Sequence, residues 1–567
     1  MTKQFRLFHL GWVIILIGAL LAHFIQTSGG VAIRDIRFNG TNGQVLSGLL
    51  YVPPGVSAEN KAPAILAVHG YINSRETQAG FAIEYARRGY VVLALDQSGH
   101  GYSDAPAFGN GFGGPGALAY LRSLDIVDVD NIGLEGHSMG GWTVLAAAAT
   151  MPDAYKAVVL EGSSTGAPFA QEGSTEWPRN LAVVFSKFDE FSQLMWSVDR
   201  AQDVADSPKL QAVFGTADAV VPGQVYGDIA AGTARILQMP NTTHPGDHIS
   251  PEAIGYSIDW FAQTLDGAEP IPSSDQIWLW KEIGTLIALV GFVVLLAGTF
   301  DMLLGTQAFA HLRNVPAGAA YARRNGKWWL TFAISAFVPV LTYYLFLGWG
   351  AQLLPASGLL PQTITSQIAF WAVLNGLIVF LVGFVLKGDR VEARGRIWGS
   401  VLIALATVGI GYLFVIAADF LFKIDFRFWV VALKPLSLVQ AKMALVYLVP
   451  FTLFFVLALR GLHTGLSVAG DSRVGHYLAN IGALALGFLV FLAFQYGWLL
   501  FAGHLFSINE PLNTVIAIQF LPLMAIIAFL STYTYRRTGS YLPGAFINAL
   551  FITWYIVAGQ ATQFPVS

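Results

Sequence analysis

The sequence predicts an α/β domain with a mainly parallel, doubly wound sheet, joined to an all-α region of several membrane-spanning helices. Three observations carry that expectation. Hydrophobic residues make up 54% of the 567 positions and charged residues only 12%, far from the composition of a soluble domain. The excess is concentrated in residues 1–30 and in the half beyond residue 280. Between them, short β-branched runs alternate with helical stretches, as in a parallel sheet covered on both faces.

Taken in order, residues 1–30 read as a transmembrane signal anchor. The apolar run 8–25 follows Lys3 and Arg6. It is long enough to cross a hydrocarbon core of roughly 30 Å, and no A-x-A cleavage site follows it. Residues 31–265 form the α/β unit. Runs 31–38 and 45–52 read as a hairpin pair, 64–68 and 90–95 as short buried strands, and 80–88 and 115–124 as helices. Residues 266–280 contain an acidic, Pro- and Ser-rich stretch and read as a linker.

Residues 281–567 carry about eight further spans by length and hydropathy: 283–304, 329–347, 368–386, 397–420, 441–459, 478–501, 515–532 and 543–558. Charge asymmetry tests this order, because Lys and Arg favour cytoplasmic loops. With the N-terminus inside, the cytoplasmic loops hold Arg313, Arg323, Arg324 and Lys327; Lys387, Arg390, Arg394 and Arg396; Arg460 and Arg473; and Arg536 and Arg537. The opposite loops hold Lys281, Lys423, Arg427, Lys434 and Lys442. The expectation is a multi-pass protein of the cell membrane, its N-terminus cytoplasmic and residues 31–275 on the far side. Stretch 424–438 is the weakest element, either re-entrant or lying along the interface. Asp301, Asn375, Asp419, Asn480, Gln495, Gln519 and Asn548 fall within or near spans. They read chiefly as interhelical packing groups, with a substrate path as the alternative.

The strongest local signal is Gly136-His137-Ser138-Met139-Gly140, between a strand-like run 131–135 and a helix-like run 142–150. In G-x-S-x-G a sharp strand-to-helix turn exposes the serine hydroxyl, and the glycines let the backbone make that turn. Ser138 is therefore the candidate nucleophile. His69-Gly70-Tyr71 ends the 64–68 strand, so the backbone N–H groups of Tyr71 and Met139 are the expected oxyanion donors. His69 itself and the loop 96–103 read as scaffold. A serine hydroxyl needs a general base. His244, in the loop after the strand-like run 234–239 and ahead of a helix at 251–264, is the candidate, with His248 the alternative.

Two aspartates compete for the acid. Asp189 follows the apolar run 181–185; in that reading Ser207-Pro208 opens a helix as N-cap and first-turn proline. Asp218 follows 210–214; in that reading 165–207 form a helical lid with Leu181, Val184, Phe185, Phe188 and Phe191 along one face. The sequence supports both.

With nucleophile, acid and base in the chain order Ser, Asp, His, residues 31–265 resemble the α/β-hydrolase superfamily, particularly its dienelactone-hydrolase-like and prolyl-oligopeptidase-like members. The resemblance implies acyl transfer to Ser138 and hydrolysis of the acyl-enzyme, with no metal and no organic cofactor. The end of the chain, Arg536-Arg537-Thr538-Gly539-Ser540 and the span with Asn548, faintly resembles the closing segment of CAAX-type intramembrane proteases. Those enzymes need a paired-glutamate motif, and this chain has no Glu-Glu pair.

The expected function is an extracytoplasmic ester or thioester hydrolase acting on an acyl-ester or lipid-like, membrane-proximal substrate in contact with membrane lipid. A serine peptidase with the same triad, and a transporter or sensor with an attached hydrolase, are the alternatives. A net charge of −3 without a basic tract gives no reason to expect nucleic acid. The absence of cysteine excludes disulfides, thiolate metal sites and a cysteine nucleophile.

Overall fold

A computed structural model describes residues 5–313, 319–385 and 396–565. Lys3, Lys387, Arg390 and Arg394, used in the charge argument, and the end of the 368–386 span lie outside the described residues. The chain forms two compact units. One comprises residues up to Ala19 with Gly284–Gln495 and Leu512–Ala558; the other comprises Leu20–Ile283, Tyr496–Pro511 and the residues from Gly559 on.

The second unit is built on nine strands: β1 (Ala32–Asn39), β2 (Val45–Val52), β3 (Ala62–Val68), β4 (Val91–Asp96), β5 (Val127–His137), β6 (Ala157–Glu161), β7 (Leu181–Val184), β8 (Val225–Tyr226) and β9 (Arg235–Gln238). They lie in the order β1-β2-β4-β3-β5-β6-β7-β9-β8. β1 and β2 form the expected antiparallel hairpin, with Ala32 opposite Val52, and β8 is antiparallel to β9. From β4 through β3, β5, β6 and β7 to β9 every pairing is parallel.

Parallel strands are covered on both faces, so they read as continuous apolar runs, and β3 and β4 are buried at every residue. Side chains alternate between two cores. Leu66, Val68, Leu93 and Leu134 belong to one; Ile65, Ala67, Val92 and Phe261 belong to the other. The helix Pro251–Thr264 starts as its sequence dictates, with Ser250 accepting from the Ala253 N–H and a proline in the first turn. The stretch expected as a linker is fastened to the end of helix Ala79–Arg87. The Arg88 guanidinium donates to the carbonyls of Ile271, Pro272 and Asp275.

Of the two alternatives for residues 165–218, the helical lid does not form, and the helix opened by Ser207-Pro208 does. Residues 181–184 are strand β7, so the helical lid with Leu181, Val184 and Phe185 on one face is corrected. The apolar run pairs in parallel with β6 and β9. Residues 210–214 belong instead to a helix, Pro208–Phe214, capped by the Ser207 hydroxyl.

The other unit is helical. Across both units, eight described helices are long and apolar enough to cross a membrane: Phe5–Gln26, Trp278–Leu304, Thr363–Gly383, Ile397–Phe422, Leu438–Gly465, Arg473–Ala502, Pro511–Thr538 and Leu542–Gly559. Gly326–Leu341 and Tyr343–Leu353 form a further pair bent by 50°. The first helix packs on Trp278–Leu304 through small residues: a Cβ at Gly11 would collide with Leu295, and one at Gly298 with Phe8. Such positions allow close helix approach in an apolar medium. Amides in these helices bond to neighbouring side chains: Asn480 donates to Thr532 at 2.8 Å, and Gln519 accepts from the Tyr555 hydroxyl at 2.6 Å. Stretch 424–438 contains a small hairpin, Phe426–Phe428 with Val431–Leu433, where Asp425 and Arg427 form a buried pair at 2.6 Å.

Candidate active site

In open parallel sheets, sites form beyond the carboxyl ends of the strands. The residues following β3, β5, β6, β7 and β9 meet there. At the end of β5, Ser138 has φ 54° and ψ −121°, a conformation few L-residues adopt. Helix Met139–Thr150 begins at the next residue. The flanking glycines are sterically required, since a Cβ on Gly136 would collide with the backbone of Gly140, and one on Gly140 with the carbonyl of Val68. The elbow is tied down on both sides. The Ser138 N–H donates to the Glu161 carbonyl at 2.8 Å, and the Ser163 hydroxyl donates to the Ser138 carbonyl at 2.7 Å.

The loop after β3 lies against this turn. A Cβ on Gly70 would stand 3.2 Å from the Ser138 Cβ, so Gly70 brings the Tyr71 backbone close to the nucleophile candidate. Gln97 holds that loop by donating to the His69 carbonyl, and its own Oε1 accepts from Thr143 at 2.5 Å. His69 is fully buried and accepts the Gln97 N–H at 3.2 Å. Met139 opens the helix after Ser138, where backbone N–H groups lack intrahelical partners and the helix dipole favours negative charge.

His244 and Asp189 come together across 55 positions of sequence: His244 Nδ1 lies 2.8 Å from Asp189 Oδ2. The loops carrying them run side by side, with the Lys187 N–H donating to the Pro240 carbonyl and that of Phe188 to the Thr242 carbonyl. Asp189 Oδ1 accepts the Phe191 N–H at 2.7 Å, and the Phe191 ring packs on His244 at 4.4 Å. Burial disfavours charge on both partners. It pushes His244 down to about 3 and Asp189 up, opposed at Asp189 by the Phe191 N–H. A neutral His244 is the form able to accept a proton.

Asp218 lies elsewhere. It sits in an exposed bend after helix Pro208–Phe214, where its N–H donates to the Thr216 hydroxyl at 3.1 Å. His248, the alternative base, is buried in the turn after His244. Its ring packs on His137 at 4.1 Å and on Phe81 at 6.4 Å.

Behind these residues is a polar layer that sequence reasoning missed. His137, the variable residue of the G-x-S-x-G turn, is fully buried and bonds the His244 carbonyl at 2.9 Å. Asp247 Oδ1 accepts from Ser186 at 2.5 Å. Glu190 Oε2 accepts the backbone N–H of His244 at 2.8 Å, and burial with the neighbouring Asp189 raises its carboxyl to about 8. Glu135 on β5 accepts twice from Gln78 and is raised to about 8 by burial. The signal available in sequence was an acidic residue inside an apolar strand, as at Glu135 and Glu161, and a second acid directly after Asp189.

Residues 63–218 match a family model described as alpha/beta hydrolase fold. An epoxide hydrolase of Caballeronia sordidicola is 26% identical over 210 residues, covering 36% of this chain and 55% of that protein. Dipeptidyl peptidase 8 of Homo sapiens is 29% identical over 156 residues, covering 24% of this chain and 17% of that protein. Among solved structures, an esterase of Pyrococcus furiosus is 17% identical over 42% of this chain and 92% of its own, with a TM-score of 0.30. The chain thus spans 17% to 55% of the length of these two curated relatives. The family match covers the elbow and strands β4 to β7 within the nine-stranded sheet, and the protein therefore carries a domain of the α/β-hydrolase fold.

Proposed function

We propose that this chain is a membrane-embedded serine hydrolase that cleaves ester or thioester bonds outside the cytoplasm, on a lipid or another membrane-proximal substrate. The observation that carries the reading is Ser138 at a positive-φ elbow in a site where His244 is hydrogen-bonded to Asp189. In the mechanism, Ser138 Oγ attacks the acyl carbon while His244 Nε2 takes its proton. The Tyr71 and Met139 N–H groups face the oxyanion, in a role worth on the order of 3 kcal/mol per donor. Collapse expels the alcohol or thiol, which receives the proton from His244. Water, deprotonated by His244, then hydrolyses the acyl-enzyme. Asp189 orients the imidazole and stabilises its charged form.

The membrane reading rests on the apolar helices and on parity. Leu20–Ile283, Tyr496–Pro511 and the tail from Gly559 share one compact unit, so the stretches of it that lie between the long helices, 27–277, 503–510 and the tail from 560, are read as sharing one side of the membrane. Between Ile283 and Tyr496 the chain runs through five of the long helices and the bent pair. The number of crossings is even only if the bent pair crosses too. Two helices then separate Pro511 from Gly559, which is again even. Nine crossings with a cytoplasmic N-terminus leave all three stretches outside, in agreement with the Lys and Arg distribution. Single cysteines at Gly109 and Asn325 of this cysteine-free chain should label from opposite sides with an impermeant maleimide. Same-side labelling would overturn the span count. That many helices exceed what an anchor needs, which favours a substrate reaching the site from the bilayer.

The test of the chemistry is labelling of intact cells with a membrane-impermeant fluorophosphonate in the parent, Ser138→Ala and His244→Ala. Labelling that requires both residues supports the full reading. Ser138-dependent labelling only after lysis would keep the chemistry and reverse the topology, and no labelling would refute it. A peptidase with the same triad is the second reading, favoured by the match to dipeptidyl peptidase 8. Hydrolysis of a dipeptide anilide in preference to aryl esters would select it.

A further inference from the structure

Two stretches remote from the α/β segment in sequence, 496–511 and the tail from Gly559, belong to the same compact unit as the sheet. Each reaches one half of the proposed machinery. The Tyr496 hydroxyl donates to Glu190 Oε1 at 2.8 Å, and the other oxygen of that carboxyl accepts the His244 backbone N–H at 2.8 Å. One buried carboxyl therefore links Tyr496 to the main chain of the candidate base. Glu190 is also covalently next to Asp189, the partner of the His244 ring. The clamp thus spans both residues of the acid–base pair.

On the other side of the elbow, Gln563 Nε2 donates to the Tyr71 hydroxyl at 2.7 Å. The tail is laced in beside it. The Thr562 N–H donates to the Gly99 carbonyl, and its carbonyl accepts from the Ala107 N–H, each at 2.8 Å. Tyr71 packs against His100 and Phe108 of that same loop, with ring centroids 5.8 and 5.6 Å apart. The Tyr71 ring, whose backbone N–H is the expected oxyanion donor, is thus pinned by the far end of the chain.

We propose that Tyr496 and Gln563 are positioning residues of the hydrolytic site, Tyr496 acting on His244 through Glu190 and Gln563 on the oxyanion wall through Tyr71; this rests on the serine-hydrolase reading of Ser138. The physical reason is that the reacting groups must be held close to their productive geometry, and small misplacements cost orders of magnitude in rate. Removing the Tyr496 hydroxyl deprives a buried carboxyl of a donor, and such a group recovers a partner by moving. The loop that moves carries the acid, and it is bonded through Glu190 to the main chain of the base.

The test uses the full-length protein in detergent, with an aryl ester as substrate and fluorophosphonate labelling as the second readout. Tyr496→Phe, Glu190→Gln, the double variant, Gln563→Ala and Ser138→Ala are compared at equal amounts of folded protein. The expected result is about a tenfold fall in kcat for Tyr496→Phe, with KM unchanged and no further loss in the double variant. Gln563→Ala, on a partly exposed tail residue whose loss leaves the sheet intact, should lower kcat and labelling rate severalfold. A role confined to stability would instead lower the melting temperature and leave kcat of the folded fraction untouched, which overturns the proposal. Parental kcat in both Tyr496→Phe and Gln563→Ala, with Ser138→Ala inactive, overturns it while sparing the hydrolase. Activity surviving in Ser138→Ala would overturn both.

Discussion

The two halves of this chain use the same apolar residues in opposite ways. In the α/β unit Leu66 is fully buried between β4 and β5, whereas in the helical unit Leu413 is 62% exposed and Trp398 79%. Around a water-solvated domain, apolar area is stabilising because it leaves water. On the proposed membrane reading, the outward faces of the long apolar helices meet lipid, and association depends on close packing and hydrogen bonds instead. The polar residues invert as well. In the sheet unit they include a buried layer beneath the elbow, with His137, Glu190 and Asp247. In the long apolar helices they include neutral side-chain pairs such as Asn480 with Thr532.

The largest expected effect tests whether the polar layer is organised around chemistry. Asp189→Asn should lower kcat on the order of 10³–10⁴-fold, as loss of the orienting carboxylate does in other triads. Asp218→Asn, in its exposed bend, should leave kcat unchanged. Equal losses in the two variants would break the assignment of the acid.

Next in size is the contrast in apolar burial. Leu66→Ala should cost about 2–5 kcal/mol through the cavity it leaves, read as a lower unfolding midpoint of the detergent-solubilised protein. Leu413→Ala should leave that midpoint nearly in place. A comparable loss at Leu413 would mean that its outward face packs against protein rather than lipid.

A smaller effect concerns protons stored under the sheet. Glu135 has a folded pKa of about 8 against an ordinary 4.5, so between these values the folded state binds more protons than the unfolded one. Stability must then fall as pH rises through that interval. His244, pushed down from 6.5, works in the opposite sense and only below its ordinary value. The clean window is therefore pH 6.5 to 8. There the melting temperature should decline with pH in the parent and decline less in Glu135→Gln. An identical slope in both would remove Glu135 from the explanation, leaving the other raised carboxyls, Glu190, Asp189, Asp247 and Glu161.

The smallest effect belongs to the helical half. Asn480→Leu removes one interhelical hydrogen bond, worth about 0.6 kcal/mol in membrane proteins. A thermal shift as large as that of Leu66→Ala would contradict the division drawn above.

Much of this was legible in sequence because it is local. The hairpin at β1 and β2, the apolar runs of β3 and β4, the elbow at Ser138 and the helix Pro251–Thr264 each declare themselves within a dozen residues by periodicity, caps or steric need. The run 181–185 was ambiguous because a short apolar stretch suits a buried strand or a helix face equally. Only its pairing with β6 and β9 distinguishes them. Glu190, His137 and Tyr496 were illegible for a related reason, since a polar residue's role depends on which partner the fold brings within hydrogen-bond reach.

The sequence by itself determined the order of elements, the division between α/β and helical stretches, the G-x-S-x-G turn and the candidate bases. These follow from backbone sterics and from the periodic burial of side chains, both of which act between near neighbours in the chain. Only the tertiary structure decided that Asp189 and not Asp218 stands beside His244, and that Glu190 reaches both His244 and Tyr496. It also decided that Gln563 reaches Tyr71 near the opposite end of the chain. Those are distances between residues 54 to 492 positions apart, set by how a sheet and its loops close in space.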